Sequence, residues 1–109
     1  MQMNEIKQRF SQVEQAVHRA AQACQRSDSL PMDLKDRIQK LEQETDQTKQ
    51  MLQQEQDENR VRQRIDQLED LGDEMKAACE RSSAPLDASV KDAVMQAHRE
   101  LSDLKHQLH

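Results

Sequence analysis

Residues 53–60 read QQEQDENR, a wholly polar stretch without Gly or Pro, and the path of the chain through it decides the fold. If a helix continues through these residues, positions 32–82 form one rod roughly 75 Å long at about 1.5 Å per residue. If it breaks, the chain folds back into a compact four-helix bundle. Gln and Glu are good helix formers, and the two other turns, near Pro31 and Pro85, combine a proline with serines. The continuous helix is therefore the expected form. The break stays open as the alternative, because Asn59 corresponds to Asn4, which is the expected N-cap of the first helix.

That correspondence belongs to an internal repeat. Residues 4–27 and 59–82 align without a gap at an offset of 55, with Gln8/Gln63, Arg9/Arg64, Gln12/Gln67, Glu14/Glu69, Cys24/Cys79 and Arg26/Arg81 among the identities. An offset of 56 extends the match through Lys35/Lys91, Asp36/Asp92, Glu44/Glu100, Lys49/Lys105 and Leu52/Leu108. Residues 1–109 thus read as one helical domain of two tandem hairpins, about 4–56 and 59–109, each too thin to bury a core alone.

Four apolar seams step by fours and threes, the a/d spacing of packed helices. The first runs Ile6, Phe10, Val13, Val17, Ala20, Cys24, and the second Leu34, Ile38, Leu41, Thr45, Thr48, Leu52. The third is Val61, Ile65, Leu68, Gly72, Met75, Cys79, and the fourth Val90, Val94, Ala97, Leu101, Leu104, Leu108. Its two threonines make the second seam the weakest quarter of the core. Flanking residues such as Ala16, Ala21, Ala78, Met51 and Leu71 widen the stripes to what a bundle needs. With a continuous central helix, each end would be a two-helix hairpin with one apolar side uncovered. The fold class expected is therefore all-α, three helices sharing a long central one, paired as an antiparallel homodimer.

Composition limits the function. The chain is 34% charged, carries a net charge of −5 and has one aromatic residue, Phe10. Acids and bases alternate, and no basic cluster interleaved with aromatics is present to track a phosphate backbone, so no nucleic acid is expected. No 18-residue apolar run and no signal-like N-terminus occur, so no membrane span is expected and a cytoplasmic location is.

No catalytic residue, cofactor or metal site is expected. Di-metal bundles use Glu-x-x-His pairs, and no Glu here has a His three residues later. His106 and His109 read as a solvated helix end favoured by the helix dipole. Cys24 and Cys79 read as small core residues. Gly72, in a helix interior where it costs about 1 kcal/mol against Ala, reads as a point of close helix approach, with a bend in the helix as the alternative. Glu69 is expected on the polar face beside Leu68. The functional expectation is a small helical adaptor or scaffold acting through protein contacts. The alternative is a binding chaperone whose Met32, Met51, Met75 and Met95 receive an amphipathic client helix.

Overall fold

The structure is a computed structural model that describes residues 2–27, 30–55, 57–82 and 86–108. Four helices account for nearly all of them: α1 (Met3–Arg26), α2 (Met32–Gln54), α3 (Glu58–Arg81) and α4 (Ala88–Leu108). α1 stops at Ser27, whose backbone leaves the helical region with φ −94° and ψ 128°. Asp28 and Ser29 of the first turn, and Ser83, Ala84 and Pro85 of the second, lie outside the described residues.

The decisive stretch breaks. α2 ends at Gln54, Glu55 takes an extended conformation (φ −82°, ψ 134°), and α3 begins at Glu58. The cap of the new helix is Asp57, whose Oδ1 accepts the Asn59 backbone N–H at 2.9 Å. Aspartate in that position satisfies one of the first-turn amides that no helical carbonyl can reach. The expected continuous helix is therefore incorrect, and so is Asn59 as the cap: its amide is the donor. Asn4 is likewise not a cap, since α1 begins at Met3 and the Gln2 side chain makes no capping bond.

The helices run up, down, up, down, each packing on its chain neighbours, and α1 closes the ring against α4. The whole measures 43 × 22 × 18 Å, far short of the roughly 75 Å that a continuous helix would span. All the a/d aliphatics face one another in a single core. Ile6, Phe10, Val13, Val17, Leu34, Ile38, Leu41, Leu52, Val61, Ile65, Leu68, Met75, Val90, Val94, Leu101 and Leu104 are all at most 3% exposed. The expected antiparallel dimer rested on an uncovered apolar side in each hairpin. One chain covers both, and the only large hydrophobic exposed among the described residues is Met32. The argument for a second chain is gone.

Helix packing is uneven for a reason visible in the residues. A Cβ built on Gly72 would lie 2.9 Å from Leu101 Cδ1, so α4 approaches α3 through the missing side chain. α2 has no such contact. Its stripe carries Thr45 and Thr48, both fully buried, where the corresponding positions of α4 carry Leu101 and Leu104. Each threonine hydroxyl donates to the carbonyl four residues back, Leu41 and Glu44, at 2.7 Å. The polar groups are satisfied, but the two residues are smaller than leucine.

Two outcomes test this fold. Because one chain closes its own core, the thermal midpoint should stay constant over a 100-fold range of protein concentration, where an obligate dimer would shift. Replacing Gly72 with Val should destabilise by about 2 kcal/mol or more through overpacking. A double-mutant cycle with Leu101→Ala, measured by chemical denaturation, should return a coupling of at least about 1 kcal/mol that relieves the clash.

Candidate functional site

Polar side chains bind the helices together along the edges of the core, and they concentrate into two clusters. On the first hairpin, Glu14 and His18 lie one turn apart on α1 and face α2. Lys49 Nζ sits 3.0 Å from Glu14 Oε1. His18 Nδ1 lies 3.0 Å from Glu42 Oε2, and its Nε2 lies 3.4 Å from Asp46 Oδ1. Both ring nitrogens thus face a carboxylate. On the second hairpin, Lys105 Nζ lies 3.4 Å from Glu69 Oε2, and His98 Nε2 lies 2.6 Å from Asp73 Oδ1.

The two clusters occupy matching positions. Glu14 and Lys49 correspond to Glu69 and Lys105, while His18 and Glu42 correspond to Asp73 and His98 with the two chemical roles exchanged. In each cluster three groups can bring one ligand atom within 4.8 Å of the others: Glu14, His18 and Asp46 in the first, Glu69, Asp73 and His98 in the second. A Glu-x-x-His search passes over the first because Glu14 and His18 are four apart, a spacing that also puts two side chains on one helix face. Asp46 and Glu42 join them only through the register of α1 on α2.

Glu69 departs from its expected place. It is counted among the buried residues at 9% exposure and paired with Lys105, so it is not on an open polar face. Hydrogen bonding to Glu69, reinforced by its charge, holds the Lys105 ammonium above its ordinary pKa. A lysine substituted at position 69 would meet Lys105 instead of a silent surface.

Between α2 and α3, Arg64 pairs with Glu44 and donates from Nε to Thr48 Oγ1 at 2.8 Å. Further along, Arg37 bridges Asp33 and Glu74, each at 3.0 Å. Partly exposed pairs of this kind contribute about 0–1 kcal/mol each, so they set register more than they supply stability.

Clefts border α2 on both of its sides. One of about 290 Å³ lies between α1 and α2, lined by Lys7, Phe10, Ser11, Glu14, Lys49, Leu52 and Gln53. Others lie between α2 and α3, one around Met51, Arg60, Arg64 and Gln67 and one around Asp36, Arg37, Lys40, Leu71 and Glu74. They are shallow surface grooves with charged rims, unlike the enclosed, mainly apolar sites that small ligands occupy. Of the four methionines expected on a client-binding surface, Met75 is fully buried in the core, Met51 packs partly against it, Met95 is half-buried and Met32 is 69% exposed.

Cys24 and Cys79 are free and buried. They lie near the C-terminal ends of α1 and α3, which run parallel, so both sit toward the same end of one chain. Burial pushes both thiols above their ordinary range, against a smaller lowering by Lys35 on Cys24 and Lys91 on Cys79. His106 Nδ1 is engaged with the Ser102 carbonyl at 2.8 Å, and His109 lies outside the described residues. No helix among the described residues is long and apolar enough to cross a membrane. Comparison with protein families, characterised proteins and solved structures finds no match.

The thiols give a signed pH prediction. A thiol whose folded pKa lies above its unfolded value stabilises the fold fully below that unfolded value, near 8.5, and this contribution is lost as pH rises toward the folded one. Denaturation midpoints of the wild type should therefore fall between about pH 8.5 and 10, more than those of a Cys24→Ala/Cys79→Ala double variant. Equal falls in the two proteins would refute the assignment.

Proposed function

We propose that this chain is a small helical interaction module, an adaptor or scaffold that engages a protein partner through the polar faces flanking α2. The observation that carries this reading is the pair of grooves that flank α2, one against α1 and one against α3. The core is closed, and the clefts beside α2 offer charged rims over partly apolar floors, as at Lys7, Lys49, Phe10 and Leu52. Peptide segments read such grooves by combining a few apolar anchors with charge complementarity. The matching of Glu14–Lys49 with Glu69–Lys105 supports an origin of the chain as a duplicated hairpin. Among the four methionines only Met32 is openly exposed, which weakens the chaperone alternative, since that reading needs an exposed methionine lining.

Photo-crosslinking residues placed at Gln53 and Lys40, both exposed on α2, test the proposal in the native cell, with exposed Asp103 on α4 as the reference position. A discrete partner should crosslink from the α2 positions and not from Asp103. Lys40→Glu should reduce its yield several-fold at unchanged helicity. Equal labelling from all three positions, or none, would reject α2 as the interacting face.

A further inference from the structure

We propose that Glu14, His18 and Asp46 form a binding site for a zinc-class divalent cation, with Glu42 holding the far nitrogen of the imidazole. A neutral imidazole has one N–H and one bare lone pair. His18 nevertheless faces a carboxylate oxygen at both nitrogens, Glu42 Oε2 at 3.0 Å and Asp46 Oδ1 at 3.4 Å. If Nδ1 donates to Glu42, the lone pair of Nε2 points at another acceptor. A cation placed between the two groups would satisfy both. A proton can fill the role, and so can a metal ion.

The surroundings favour the metal. Glu14 brings a third ligand atom into the cluster, all three within 4.8 Å of one another. Glu42 on the opposite ring nitrogen reproduces the carboxylate–histidine arrangement that orients metal-bound imidazoles and raises their basicity. One nitrogen and two carboxylates with a position left for water suit Zn²⁺ and its first-row neighbours, whereas Mg²⁺ and Ca²⁺ favour all-oxygen shells. Lys49 holds Glu14 by a single oxygen, Oε1, and a carboxylate has two. In the matching cluster the His98 imidazole reaches Asp73 through Nε2 at 2.6 Å, and Glu69 is paired with Lys105. A bound ion would join α1 to α2.

The test is a titration of the folded protein with zinc chloride in a His98→Gln background, which silences the second cluster, following each histidine ring by ¹H–¹⁵N NMR. The His18 ring signals should shift and saturate at one equivalent, with an apparent Kd in the micromolar range. Glu42→Gln should weaken binding about 10-fold or more without abolishing it, and His18→Gln should remove it, each at unchanged circular dichroism. Magnesium at the same concentration should leave the ring signals in place. The proposal is overturned if the His18 ring ignores zinc, if zinc affinity survives His18→Gln unchanged, or if magnesium competes equally.

Discussion

The bundle depends on the reversal of the chain between Gln54 and Glu58. A helix through these residues would satisfy their local preferences, since the propensity differences among Gln, Glu, Asp and Asn amount to a few tenths of a kcal/mol each. It would also carry the third and fourth seams away from the first and second. Turning back places Val61, Ile65, Leu68 and Met75 against the rest of the core, all fully buried. Burial of a single such side chain is worth about 1.5–3 kcal/mol, so tertiary packing outweighs helix continuity by a wide margin. The Asp57 cap then needs only to make the break cheap, at about 1 kcal/mol for a good N-cap.

Once the chain has turned, each pair of matching positions must solve the same packing problem with different residues. Val17 on α1 has Gly72 as its counterpart on α3, and Thr45 on α2 has Leu101 on α4. The second hairpin joins the smallest side chain to a large one that fills its space, while the first carries two β-branched residues of intermediate size. Charge is handled in the same manner: histidine and acid exchange places between the His18–Glu42 and Asp73–His98 pairs, and the bridge between helices persists. Such paired exchanges keep total volume and opposite charge in register, the two properties a tightly packed interior enforces.

The a/d spacing was legible in full because burial along a helix follows its period, and the stripes from Ile6 to Leu104 all lie inward. The close approach at Gly72 was legible too, since a glycine inside a helix calls for a neighbour that fills its space. The central turn was not, for a physical reason: residues 53–60 contain no obligate breaker, and what ends α2 is the gain from distant contacts. The His18 cluster was half legible. Glu14 and His18 share a helix face by spacing alone, but Glu42 and Asp46 come from α2, and their approach depends on an interhelical register that no local pattern encodes. Glu69 was misplaced on the same ground, its burial and its partner Lys105 both being set by α4.

These features converge on α2. Its inner stripe trades two leucine-sized positions for threonines whose hydroxyls stay bonded to their own helix, so it contributes less apolar contact than α4 does. Polar bridges tie its margins to the neighbouring helices and fix their register: Lys49 to Glu14, Asp46 and Glu42 to His18, Glu44 to Arg64, and Arg37 to Glu74. Polar bridges are directional and exchange with solvent or ligand at small cost, whereas packed aliphatics do not. Rearranging such bridges leaves the core closed, and it is these margins of α2 that the proposed cation and the proposed partner would engage.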